Sequence, residues 1–231
     1  PAPGTSGGSG GGAVVVGSAD FSESVLLAEI YAGALKAKGV NVSTKARIGS
    51  RETYLRGMTD GSINLIPEYT GALAYFYDKK FAETDPQKVY DGLAKLLPAD
   101  LVVLKPSAAE DNDSITVSKA TADKYKLASI ADLAAVAKDL VLGAPPEFKT
   151  RPQGIPGLTS TYGVTFKDVK ELKGQALVQA LKNGQVDAAN VFTTDPSIPA
   201  NSFVVLKDDK HLFGTQNVVP LIAKKVATQQ V

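Results

Sequence analysis

The side chains that most often carry chemistry are nearly absent from this chain. It has one histidine, His211, and no cysteine. That excludes thiolate metal sites, a cysteine nucleophile and disulfides. His211 sits in the charged run Asp208-Asp209-Lys210-His211 and reads as a surface residue. Without a second histidine, a zinc site would have to be rich in carboxylates, and no acidic spacing suggests one. Adjacent acids such as Glu110 and Asp111 read as solvated, not as a catalytic dyad. No G-x-S-x-G elbow, Walker loop or G-x-G-x-x-G run follows a strand. The glycines of Gly7–Gly12 precede the first strand, so they are not a phosphate loop. The expectation is a protein that is not an enzyme and uses no cofactor or metal. What remains is a set of loops placed where open α/β sheets bind ligands, beyond the carboxyl ends of strands. These are Gly17-Ser18-Ala19-Asp20-Phe21-Ser22-Glu23, Pro67-Glu68-Tyr69-Thr70-Gly71-Ala72 and Val191-Phe192-Thr193-Thr194-Asp195. The first leads into a helix N-terminus, with its free amides and positive dipole end. The second offers an aromatic wall beside a hydroxyl.

The elements that must hold these loops alternate in type. Ala13–Gly17 reads as a short apolar strand. Asp20 caps the next helix, with Glu23 completing a capping box. Val25, Leu26, Ile30, Ala34 and Leu35 form its apolar face, and Gly39 ends it. A strand follows over 40–46, then a helix over 51–59 capped by Ser50, then the buried strand Ile63–Ile66, stopped by Pro67. Asp85-Pro86 opens a helix running to about Leu97, and Leu101–Leu104 is a strand. A second βα series has strands at Ile115–Val117, Leu140–Gly143, Val186–Asn190, Phe203–Leu206 and Val218–Ile222. Its helices lie at Lys119–Lys126, Ile130–Ala137 and Gln175–Lys182, while 145–157, with four prolines, reads as loop. Such alternation predicts mostly parallel sheets covered on both faces.

The bulk numbers set outer limits. With 231 residues and 44% hydrophobic content, the chain can build one large domain or two lobes of about 100 residues. A net charge of +1 gives no footprint for nucleic acid. Apolar runs such as Val14–Val16 are far shorter than a membrane span. Residues 1–12 have almost no apolar side chains and are expected to be a flexible tether, either an expression remnant or the link to a membrane anchor. Val231 follows soon after the last strand, so a lobe completed by C-terminal helices would lack them here.

Five motifs occur in order: Gly17-Ser18 with Phe21, Gly49-Ser50-Arg51-Glu52, Pro67-Glu68-Tyr69-Thr70-Gly71, Asn183-Gly184-Gln185-Val186-Asp187 and Asn217-Val218-Val219-Pro220. Together they resemble the glycine betaine/choline/osmoprotectant substrate-binding proteins of ABC importers, over nearly the whole folded chain. The resemblance implies a type II periplasmic-binding-protein fold, α/β in class, with two lobes joined by two crossovers around a ligand cleft that closes like a hinge. The crossovers would lie near Lys105–Asp113 and Leu206–Phe213. Lobe 1 would comprise 13–108 and 208–231, and lobe 2 would comprise 109–207. The location implied is extracytoplasmic, periplasmic or lipid-anchored at the outer face of the membrane. The partners implied are a small solute and the ABC permease subunits.

In that family tyrosines enclose a quaternary ammonium by cation–π attraction. Tyr69 matches one cage tyrosine. A second aligns near Ser114, beside Asp113. A third aligns with Phe192, followed by Thr193, and a fourth with Gln216. Arg151 matches an arginine that meets the ligand carboxylate. The first loop has Ala19 where a basic or amide residue is frequent, and Ala72 stands where some members have a hydroxyl. The candidate binding residues are therefore Asp20, Phe21, Tyr69, Thr70, Asp113, Ser114, Arg151, Phe192, Thr193 and Gln216. A cage thinned to two aromatics loses ~0.5–2 kcal/mol per missing contact. It points to a neutral, hydroxylated solute, with weak binding of a betaine or choline as the alternative. A ligand sensor or surface interaction protein on the same fold, without transport, is the rival from another class.

Overall fold

The structure, a computed structural model, describes residues 13–227. The expected tether over 1–12 lies outside the described residues. The chain forms two compact units. Unit 1 takes the chain up to Glu68, then Leu97–Lys105 and the part from Val219 onward; unit 2 takes Tyr69–Leu96 and Pro106–Val218.

Unit 1 is built on β1 (Val14–Gly17), β2 (Val42–Lys45), β3 (Leu65–Tyr69), β4 (Leu101–Val103) and β10 (Val218–Ala223), in the order β2-β1-β3-β10-β4. β1 runs parallel to β2 and β3, and β10 runs antiparallel to β4. The sheet is therefore mixed. Asn64 locks β1 with its side chain: Oδ1 accepts from Val15 N at 2.7 Å and Nδ2 donates to Ala13 O at 3.0 Å. The expected stop at Pro67 does not occur, because β3 runs through it to Tyr69. Val16 pairs with Leu65 and β1 ends one residue later, so the missing Pro67 N–H lies past that neighbour's end.

Helix α1 (Ser22–Ala37) corrects two expectations. Its N-cap is Phe21, with no side-chain cap bond, so Asp20 falls one residue short of the capping position. Its buried face is Ser24, Ala28, Ala32 and Leu35, while Leu26 and Ile30 are 61% and 54% exposed. The small residues let the helix lie close to the sheet, and the larger apolar ones point out. Helix α2 (Arg51–Asp60) starts after Ser50, again without a side-chain cap bond, and buries Tyr54, Leu55 and Met58.

Unit 2 carries β5 (Ile115–Val117), β6 (Val141–Ala144), β7 (Asp168–Glu171), β8 (Ala188–Asn190) and β9 (Val204–Val205), in the order β7-β6-β8-β5-β9. β6 is parallel to β7 and β8, whereas β5 is antiparallel to β8 and β9. Each sheet thus sets three parallel strands beside a pair joined antiparallel. The two faces of sheet two have separate cores. Ala188 joins Ile115, Leu133, Leu142 and Leu158, while Ala189 joins Leu177, Leu181, Val186 and Phe203. Burying each Leu or Ile contributes about 1.5–3 kcal/mol. Gly143 is needed on the second face, because a Cβ there would stand 2.6 Å from Leu177 Cδ1.

The helices of unit 2 are α3 (Thr70–Tyr77), α4 (Pro86–Leu96), α5 (Lys119–Tyr125), α6 (Ile155–Tyr162), α7 (Gly174–Lys182) and α8 (Ser197–Ala200). α3 replaces the expected loop over 67–72: strand passes to helix between Tyr69 and Thr70. The expected helix over 130–137 is a 3-10 helix, Ile130–Ala135, entered through a capping box of Ser129 and Asp132. The proline-rich stretch is not all loop. It holds a 3-10 turn at Pro146–Lys149 and the start of α6, which accepts Pro156 in its first turn.

Candidate functional site

The first loop of unit 1 is drawn tight by its own backbone and serines. Ser18 Oγ accepts from Arg47 N at 2.8 Å, and Ser24 Oγ accepts from Ala19 N at 2.9 Å. Asp20 N donates to Gly49 O at 3.1 Å, and its carboxylate pairs with Arg47 Nη1 at 3.3 Å. Asp20 and Phe21 are both half-buried. The Asp20 charge is therefore engaged by a cation of the same unit, which is a different role from capping α1.

Next comes a cluster that sequence reasoning missed. Glu68 is fully buried, yet it is ionisable. Arg51 Nε and Nη2 grip its two oxygens at 2.8 and 3.0 Å, and Tyr54 OH donates to Oε1 at 2.5 Å. The planar guanidinium matches the carboxylate in a bidentate fork. Two of the sequence motifs, Gly-Ser-Arg-Glu and Pro-Glu-Tyr, are thus two halves of one fastening between α2 and β3. The signal was available: a glutamate inside an otherwise apolar strand requires a buried cation.

In unit 2 the Tyr69-Thr70-Gly71 segment is clasped by residues 215–217. Thr70 N donates to Asn217 O at 3.0 Å, and Asn217 N donates to Thr70 Oγ1 at 3.1 Å. Gly71 N donates to Thr215 O at 3.0 Å, so close that a Cβ on Gly71 would stand 2.4 Å from that oxygen. Gln216 is 2% exposed, and both ends of its amide are used. Its Oε1 accepts from Ala72 N at 2.8 Å in the first turn of α3, and its Nε2 donates to Phe213 O at 2.6 Å. Where the resemblance places a fourth tyrosine, this chain has a helix clamp. Tyr69 itself is 8% exposed.

A second clasp joins the residues before β5 to those after β8. Ser114 is 3% exposed and donates its hydroxyl to Val191 O at 2.5 Å, with Thr116 Oγ1 2.8 Å away. Asn190 Nδ2 donates to Asp113 Oδ1 at 2.9 Å and to Ser114 O at 3.2 Å. Asn112 N donates to Thr193 Oγ1 at 3.0 Å, and Thr193 N returns a bond to Asn112 O at 2.9 Å. Asp111 Oδ1 accepts from Thr194 N at 3.1 Å. The candidates Asp113, Ser114, Phe192 and Thr193 thereby fall in one small neighbourhood of hydrogen-bonded loops, with Phe192 half-buried.

Arg151 lies on the turn between β6 and α6 and is half-buried. Arg151 N donates to Glu147 O at 3.1 Å, and Arg151 O accepts from Gly154 N at 2.9 Å. Only glycine fits at 154, where a Cβ would fall 1.9 Å from Phe148 O. Beyond α6, Asp208 accepts from Tyr162 OH and from the amides of Leu212 and Phe213 at 2.9 and 2.8 Å. Burial, then the Asp208 bond, pushes the Tyr162 hydroxyl well above the usual phenol range. Among the described residues no helix is long and apolar enough to cross a membrane.

These loops sit on a fold with close counterparts. A solved structure described as a glycine betaine/carnitine/choline ABC transporter superposes with a TM-score of 0.71 at 24% identity, covering 92% of this chain and 80% of that one. The glycine-betaine-binding protein of Pseudomonas aeruginosa is 30% identical over 224 residues, 91% of this chain and 71% of that protein. The glycine betaine-binding protein YehZ of Escherichia coli is 28% identical over 227 residues, 92% of this chain and 74% of the relative. The model of the substrate-binding domain of ABC-type glycine betaine transport systems matches residues 12–231. With its two α/β lobes in the type II periplasmic-binding-protein fold, the chain belongs to that family of ABC-importer substrate-binding proteins.

Proposed function

We propose that this chain captures a small polar solute for an ABC importer with a reduced aromatic cage, so that a fully methylated ammonium is not its preferred ligand. Tyr69 and Phe192 supply the aromatic walls. Arg151 offers a fixed cation to an acidic or hydroxyl oxygen. Thr70, Thr193 and Asp113 supply short polar groups, and on unit 1 Asp20 and Phe21 are the candidate residues. The observation that carries this reading is the state of Ser114 and Gln216. Both stand at cage positions in the resemblance, both are almost wholly buried, and their polar atoms bond within the fold. They support a cage that lacks two of its walls rather than one with two new polar contacts. Proteins of this family work outside the cytoplasm and deliver solute to membrane permeases. We place this one in the periplasm or tethered by lipid at the outer face of the cell membrane.

A thermal-shift panel with glycine betaine, choline and carnitine, the solutes named for its relatives, together with neutral polyols and aromatic solutes, tests the reading. Ligand at a hundredfold excess over its dissociation constant adds about 2.7 kcal/mol of stability. A small shift with glycine betaine and choline and a larger one with a hydroxylated or aromatic solute is the expected result. Equal, large shifts with glycine betaine and choline would restore a full quaternary-amine site.

A further inference from the structure

The clasp before β5 contains a side chain with no part in the contact set above. The backbone of Asn112 is held on both sides, by the reciprocal bonds with Thr193 and by Asp111 N donating to Gln216 O at 3.1 Å. Its side-chain Oδ1 is shut off from solvent and accepts no hydrogen bond among the described residues. Buried polar atoms without partners are few in native folds, and each calls for a reason. The side-chain donors of the surrounding clasps bond other acceptors. Asn190 Nδ2 bonds Asp113 and Ser114 O, Ser114 Oγ bonds Val191 O, and Gln216 Nε2 bonds Phe213 O. The neighbouring segment that Asn112 touches is Thr193, next in sequence to Phe192, so Asn112 is bonded to the loop that carries one wall of the proposed cage.

We propose that Asn112 is a specificity-determining residue whose Oδ1 accepts an N–H or O–H from the bound solute. The proposal rests on the solute-binding reading above and names the chemical class of the solute. A trimethylammonium group has no N–H and can offer only weak C–H contacts. A tertiary or secondary ammonium, or a hydroxyl beside the cation, offers the donor that the amide oxygen requires. Leaving such an acceptor unmet in the complex is what rejects the fully methylated analogue.

Glycine betaine and N,N-dimethylglycine form a matched pair, differing by one methyl replaced by hydrogen on nitrogen. Calorimetry with the whole chain should show dimethylglycine binding about tenfold more tightly than betaine. Asn112→Leu, close in size but without the acceptor, should bring the ratio near one. Asn112→Asp, which keeps an acceptor oxygen, should preserve or widen it, and thermal melts report that each variant is folded. A ratio near one in the wild type, or one unmoved by Asn112→Leu, overturns the inference and leaves Oδ1 to a bridging water. Equal binding of the two solutes breaks this inference alone. If neither solute binds the wild type at all, the inference falls, while the solute-binding reading stands or falls on the wider thermal-shift panel.

Discussion

The two units secure their loops with different chemistry. In unit 1 the fastening is ionic and wholly buried: Arg51, Tyr54 and Glu68 around one carboxylate. In unit 2 it is neutral and distributed: the Gln216 amide, the Thr70–Asn217 exchange and the glycine at 71. A buried ion pair holds strongly only while both charges are present, because either one alone is stranded in a low dielectric. A set of amide and hydroxyl bonds fails by degrees, each loss costing about 1–3 kcal/mol when a partner is left buried. The first should behave as a switch under mutation, and the second as a graded support.

The largest effect is expected at Glu68. Glu68→Ala leaves the Arg51 guanidinium without its carboxylate and should cost about 3–5 kcal/mol. At about 2–4 °C per kcal/mol, that lowers the melting midpoint by on the order of 6–20 °C. The double variant Arg51→Met/Glu68→Leu removes both charges and should recover most of the loss. A single variant that melts within a degree or two of wild type would erase the contrast between the units. A smaller effect is expected at Gly71. Gly71→Ala places a Cβ against Thr215 O and forces α3 off its clasp, for about 1–3 kcal/mol. Unchanged stability there would show that residues 215–217 yield freely.

The smallest effect belongs to the capping box. The backbone amides of Ala128 and Ser129, then the Ser129 hydroxyl, hold the Asp132 carboxyl below its usual range. Because the folded value is depressed, the stabilisation is present above the ordinary carboxylate pKa and lost as pH falls through the folded one. The stability gap between wild type and Asp132→Asn should therefore widen as pH rises from about 3 to 5 and stay flat beyond. A gap independent of pH would mean that the carboxylate charge does not matter to the cap.

Much of the α/β order could be read from residue patterns, and the misreadings share a physical cause. Strands such as Val14–Gly17 and Ile115–Val117 are short apolar runs with turn residues at their ends, and they were legible. Helix α1 has two overlapping apolar stripes, and periodicity favoured the bulky one; the sheet selected Ala28, Ala32 and Leu35 because small residues permit close approach. Pro67 and Pro156 read as breakers in the sequence, yet each stands where no N–H is required. β7, Asp-Val-Lys-Glu, lacks an apolar alternation because it is an edge strand paired only with β6 among the described residues. At the candidate site, residue types could be listed in advance. The inward commitment of Gln216 and Ser114 could not, since it depends on partners 144 and 77 positions away.

The central claim is a solute site with a thinned aromatic cage. Calorimetric titration of glycine betaine into the wild-type chain and into Tyr69→Ala tests it most directly. Wild-type binding to betaine is expected to be much weaker than a dissociation constant of about 1 μM, which corresponds to about −8.2 kcal/mol. A constant near that value in the wild type, abolished in Tyr69→Ala, would contradict it and show a complete quaternary-ammonium cage.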